Sequence, residues 1–146
     1  MNMKYERQFV GYSTYRSRLV DGHVHTELCP HGSGDRTAMM IEKAIELRIE
    51  KVCLTEHAPL PVGFASEYGG DMKALETASL KLNQVDTYLE LGRQLQRAYG
   101  THIDISLGFE VDYIPGYEAD IQEFLDRYGP LTEENILSVH FMEGVD

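Results

Sequence analysis

The chain has 146 residues, the size of one domain, and with 42% apolar residues it can build a core. Its formal charge of −11 is the opposite of what contact with a phosphate backbone requires. Extended nucleic-acid binding is disfavoured, and small cationic or metal-neutralised ligands fit better.

Residues 1–18 read as an N-terminal extension in which Lys4, Glu6, Arg7, Arg16 and Arg18 alternate with isolated apolar residues. Without a continuous hydrophobic segment it is neither a signal peptide nor a membrane span, so the expected location is the cytoplasm. Cys29 and Cys53 are the only cysteines, and free thiols are expected. From there the pattern alternates short apolar runs with amphipathic helices, which predicts parallel βα units. A first strand covers 19–25, and Asp35 or Thr37 can cap a helix running to Arg48. A second strand covers 51–56. A Pro- and Gly-rich loop, 58–70, leads into one long helix over 71–99, with Leu75, Ala78, Leu82, Val85 and Leu89 forming an apolar stripe and Gly100 ending it. A third strand covers 104–111, a helix 117–128, and a fourth strand 136–142. With no helix after that strand, the pattern predicts either a piece of a longer barrel or an edge completed by association.

Chemistry concentrates at the ends of these strands. In Asp21-Gly22-His23-Val24-His25-Thr26, two imidazoles lie two residues apart and so point to one side of a strand, the arrangement of a chelate. His31 follows in Cys29-Pro30-His31-Gly32, His57 closes the second strand, and Glu110 and His140 sit at the ends of the third and fourth. The C-terminal ends of parallel strands converge on one face, where ligands bind. His102 precedes its strand and belongs to the opposite face. Imidazole and carboxylate donors without thiolate suit zinc, iron or manganese, and Glu110 can bridge two ions. Cys53 alternates toward the apolar interior and reads as core, and Cys29 as a residue shaping the His31 loop. Asp112 is a weaker candidate that shares the face of Glu110. Glu56 points away from His57 and Thr55 and reads as structural. No GxSxG, GK[ST] phosphate loop, GxGxxG or HExxH is present, which leaves metal-assisted hydrolysis.

The ordered phrases Asp-Gly-His23-Val-His25-Thr, Cys-Pro-His31-Gly-Ser, Thr-Glu-His57, Gly-Phe-Glu110-Val-Asp and Ser-Val-His140-Phe resemble the PHP (polymerase and histidinol phosphatase) superfamily, in particular its histidinol-phosphate phosphatase branch. The resemblance runs from about Asp21 to the C-terminus and implies that 19–146 is the N-terminal part of a distorted (βα)7 barrel, ending after strand four. It implies up to three divalent ions: one on His23, His25 and Glu110, a second bridged by Glu110 and bound by His140, and a third on His31 and His57. Glu110 and His140 would be catalytic. The family's later histidine, its DxH pair and its phosphate-binding arginines have no counterpart in this sequence. The implied reaction is hydrolysis of L-histidinol phosphate in histidine biosynthesis, with another phosphoester substrate, or a non-catalytic metal-binding module, as alternatives. The expected partner is a small phosphate ester, with self-association through the open barrel edge and no nucleic acid or membrane.

Overall fold

Alternation along the third apolar run sets the plan of the molecule. In β3 (Asp104–Asp112), Ile105, Leu107, Phe109 and Val111 enter one apolar cluster, while Ser106, Gly108, Glu110 and Asp112 occupy the other side of the pleat. The structure is a computed structural model that describes residues 18–141. The proposed N-terminal extension lies outside the described residues apart from Arg18, as does the expected strand end at Met142.

Three more strands, β1 (Val20–Val24), β2 (Lys51–His57) and β4 (Ile136–Ser138), pair in parallel with β3, in the sheet order β1-β2-β3-β4. Spatial order therefore repeats chain order. Helices α1 (Thr37–Glu46), α4 (Val85–Tyr99) and α5 (Glu118–Tyr128) supply Ile41, Ala44, Val85, Tyr88, Leu95 and Tyr128 to the cluster that covers Val52, Leu54 and the apolar side of β3. A fully buried leucine such as Leu54 or Leu107 contributes about 1.5–3 kcal/mol through this burial. Parallel strands in chain order with helices between them are the arrangement of part of a TIM-like α/β barrel.

The pairing of β2 with β3 is unbroken from Lys51 opposite Asp104 to His57 opposite Glu110. Between β1 and β2 the register shifts between Asp21 and Val24, which re-aims the end of β1. Two glycines permit close approaches. A Cβ on Gly92 in α4 would lie 2.4 Å from Leu107 Cδ1, and one on Gly108 would lie 1.3 Å from the carbonyl oxygen of Glu134. The strap 132–135 crosses there and is bonded to the edge of β3. Glu133 N–H donates to Leu107 O at 2.7 Å, Leu107 N–H to the Glu133 carboxylate at 2.8 Å and Phe109 N–H to Asn135 Oδ1 at 2.9 Å. From beneath, the buried Tyr88 hydroxyl lies 2.8 Å from Leu54 O and 2.6 Å from Gly108 O.

Several local expectations change. The long helix over 71–99 is instead α3 (Met72–Glu76), a 3-10 turn (Leu82–Gln84) and α4, with a further short helix α2 (Phe64–Glu67) inside the preceding loop. The break has a tertiary cause. Leu80 is 2% exposed and its N–H donates to His57 O, pulling the chain across the end of β2. Leu82 of the expected stripe is consequently exposed. Neither Asp35 nor Thr37 caps α1. Thr37 is its first residue, and the carboxylate of Glu27 accepts both the N–H and the hydroxyl of Thr37, placing an anion at the helix N-terminus. Cys53 is buried but stands outside the apolar cluster, with Sγ donating to Glu134 Oε2 at 3.0 Å. Regular pairing in β4 ends at Ser138.

Candidate metal centre

The unbroken β2–β3 register delivers His57 and Glu110 side by side, and neighbouring elements close around that pair. Glu110 is 2% exposed. Its Oε2 lies 2.9 Å from His23 Nε2, 3.5 Å from His25 Nε2 and 3.2 Å from His57 Nδ1. Its Oε1 lies 3.5 Å from His140 Nε2 and accepts the Ser138 hydroxyl at 2.5 Å. Four imidazoles, from the ends of β1 and β2 and from the segment after β4, thus converge on one carboxylate of β3. The His25 and His57 rings stack at 4.5 Å, and His31 stands 5.0 Å from His57 between ring centroids.

A second set of contacts fixes the rings from behind. His25 Nδ1 lies 3.1 Å from Glu56 Oε1, His31 Nδ1 2.7 Å from Thr77 O and His140 Nδ1 2.7 Å from Asp112 Oδ1. An acceptor therefore stands behind Nδ1 of each of these three rings, the arrangement that turns Nε2 toward the cavity as the donor atom available to a metal. Glu27 at the head of α1 anchors the loop that carries His31.

Electrostatics follow the geometry. Burial alone would raise the Glu110 carboxyl, but hydrogen bonds from Ser138 and His23 with the nearby rings hold it below its ordinary value. Burial likewise opposes ionisation of Glu56, and hydrogen bonds from His25 and Thr26 overcome it. The hydrogen bond to Glu56 raises His25, whereas burial lowers His57 and raises Asp112. Glu110 and Glu56 are thus held ionised and His57 neutral, the protonation states that metal ligands need, whereas without an ion His25 is shifted toward its charged form and Asp112 toward its neutral one.

Among the described residues, three groups each bring their potential ligand atoms within 4.8 Å of one another: His23, His25 and Glu110; His57, Asp112 and His140; and His25, Cys29 and Glu56. Imidazole and carboxylate donors suit divalent cations. His57 Nδ1, 3.2 Å from Glu110 Oε2, is buried without a hydrogen bond, a polar atom inside the cluster that a cation would satisfy. The grouping differs from the expected one. His57 is joined to His140 and Asp112 rather than to His31, which belongs to none of the three groups among the described residues. His102 is far from the cluster, beside Arg48 and Asp104 at the other end of the strands. Glu56 was not singled out because alternation turns it away from His57; the re-aimed end of β1 brings His25 over to meet it.

Parallel βα units with histidines and carboxylates gathered at the strand ends define an α/β-barrel protein with a centre of the kind that binds divalent metal. The chain belongs to the PHP domain family, whose model matches residues 21–145. It is 39% identical over 122 residues to a histidinol-phosphatase of Bacillus subtilis, a match covering 84% of this chain and 44% of that protein. A crystal structure of a protein from Listeria monocytogenes, assigned as a histidinol phosphatase, superposes with a TM-score of 0.84 at 42% identity, covering 86% of this chain and 46% of the other. The fold also matches a histidinol phosphate phosphatase from Lactococcus lactis, solved with zinc, L-histidinol and phosphate, at a TM-score of 0.66 and 23% identity over 86% and 41% of the two chains. The chain thus spans about half the length of the relatives it matches. Among the described residues no helix is long and apolar enough to cross a membrane.

Proposed function

We propose that this chain carries much of the metal centre of a phosphomonoesterase that converts L-histidinol phosphate to L-histidinol and phosphate, a step of histidine biosynthesis in the cytoplasm. The observation that supports it best is the convergence of His23, His25, His57 and His140 on Glu110. Relatives of 39% and 42% identity that bear this activity in their names favour the substrate. The proposed unit is 19–146, preceded by an extension over 1–18.

The proposed metal ligands are His23, His25, His31, His57, Glu110 and His140, holding up to three ions among zinc, iron and manganese. Bound divalent ions would neutralise phosphate oxygens and lower the pKa of a water toward 7. The residues around them do the rest. Glu110 gathers four rings and, with His140, faces the reacting phosphate. Asp112 orients His140 from behind. A cavity of about 440 Å³ lined by His31, His57, Thr77, Ala78, Asp112, His140 and Phe141 lies beside the cluster and is of a size for a small ester. No nucleic acid or membrane is required.

The test is phosphate release from L-histidinol phosphate, with zinc or manganese added, by a protein spanning the full length of the relatives, against nucleoside monophosphates as competitors. Selective, metal-dependent release is expected. Faster turnover of the nucleotides would reassign the substrate within the family. Stoichiometric metal binding with no hydrolysis of any ester would leave a non-catalytic metal-binding module.

A further inference from the structure

Among the described residues, Glu56 is a fully buried carboxylate that stands outside the proposed ligand set. It has 0% exposure, in an environment where an ionised carboxylate persists only when every oxygen is satisfied. It is satisfied by residues that all belong to the site. Oε1 faces His25 Nδ1 at 3.1 Å and accepts the His57 N–H at 3.2 Å, and Oε2 accepts the Thr26 N–H at 2.9 Å and the Thr26 hydroxyl at 2.7 Å. Its own N–H donates to the Tyr88 hydroxyl.

We propose that Glu56 is a positioning residue: by accepting the Nδ1 proton of His25 and tying Thr26 to the end of β2, it fixes the His25 ring in the tautomer whose Nε2 faces Glu110. Three observations carry this. The imidazole has two nitrogens and only one can face the cluster, so whichever partner the other meets decides the tautomer. His25 Nε2 lies 3.5 Å from Glu110 Oε2 while Nδ1 lies on Glu56, so the ring bridges the two carboxylates. And β1, whose register shifts between Asp21 and Val24, ends at Val24, so His25 lies just past the strand pairing, where the Glu56–Thr26 bonds tie the chain to the end of β2.

The proposal rests on the metal-centre reading, and the test separates the two. In the 146-residue chain without metal, long-range ¹H–¹⁵N correlation of the imidazoles at alkaline pH should show His25 as the Nδ1–H tautomer, and Glu56→Ala should shift it to a mixture. Glu56→Gln offers one oxygen where four donors converge and should fall between. Zinc affinity, measured by chelator competition, should drop about 10–100-fold in Glu56→Ala, the usual effect of removing a ligand's hydrogen-bond partner. An unchanged tautomer in both variants, or a zinc affinity within about twofold of the parent despite native-like spectra, would overturn the proposal. So would a cobalt adduct with an intense sulfur-to-metal charge-transfer band that Cys29→Ser abolishes, because His25, Cys29 and Glu56 would then be ligands themselves. If the parent chain binds no metal, the metal-centre reading fails, while the tautomer comparison still decides the role of Glu56.

Discussion

Replacing Gly108 with alanine tests whether the strap 132–135 and β3 meet at backbone distance. The added Cβ would sit 1.3 Å from the Glu134 carbonyl oxygen. An ordinary contact needs the two backbones to part by about 2 Å, since neither is a flexible side-chain end that can swing aside. A displacement of that size breaks what crosses the gap: the Glu133 N–H to Leu107 O bond, the Leu107 and Phe109 N–H bonds to Glu133 and Asn135, and the Tyr88 bond to Gly108 O if β3 moves instead. At about 0.5–1.5 kcal/mol each, the loss is roughly 2–6 kcal/mol, a large part of the 5–15 kcal/mol typical of a whole domain. Gly92→Ala is the control. Its Cβ meets the side chain of Leu107 at 2.4 Å, an overpacking cost of about 1–3 kcal/mol that the gain of about 1 kcal/mol in helix propensity offsets. Urea unfolding followed by circular dichroism should therefore rank Gly108→Ala far below Gly92→Ala, with the parent highest. If Gly108→Ala yields no soluble protein, Asn135→Ala, which orphans the buried Phe109 N–H and also removes the bonds with the Thr132 hydroxyl, should still lose about 1–3 kcal/mol. Stability of Gly108→Ala within about 0.5 kcal/mol of the parent would refute the close approach, since substitutions of that size of effect touch no such feature.

Four further outcomes are expected. Tyr88→Phe strips the partner from the buried Glu56 N–H and should cost about 1–3 kcal/mol; a melting temperature equal to the parent's would count against that network. Burial and the Glu134 carboxylate push the Cys53 thiol up from 9.0 to about 11. The folded state thus holds the proton more tightly than the unfolded one, so this stabilisation is complete below pH 9 and disappears as pH rises through about 11. The parent should lose more stability than Cys53→Ser across that window, and parallel curves for the two proteins would contradict this. His23→Ala and Glu110→Ala should each lower bound metal in elemental analysis, the second more, and unchanged content would refute the ligand assignment. Leu137 in β4 is 70% exposed and Val139 just after it 53%, at the edge of the sheet, so self-association through that edge is expected; sedimentation as a lone monomer at all concentrations would contradict that.

Strand ends were the readable part of this sequence because a parallel strand advertises itself twice, by an apolar run and by the polar residue that stops it. Lys51–His57 and Asp104–Asp112 extend the expected strands by one residue each, and that residue is His57 in one and Asp112 in the other. His102 separated from the rest for the same reason, since it precedes its strand. What stayed hidden depends on neighbours in space. The stripe through Leu75, Leu82 and Val85 keeps helical spacing across a break that exists because Leu80 bonds the end of β2. Glu27 gives no sign in sequence that it caps a helix ten residues on. Alternation turned Glu56 away from His57 and Thr55, yet its carboxylate serves His25, because a register shift in another strand changes what stands opposite it.

Because spatial order in the sheet is chain order, the cluster is also built in sequence as the polypeptide is made. His23 and His25 are synthesised first, and β2 then brings His57 together with Glu56, the carboxylate that takes the back of His25. Glu110 comes only with β3 and His140 last. The carboxylate that holds the back of His25 is therefore made before the carboxylate that the rings share, and Glu110 is the keystone that β3 adds.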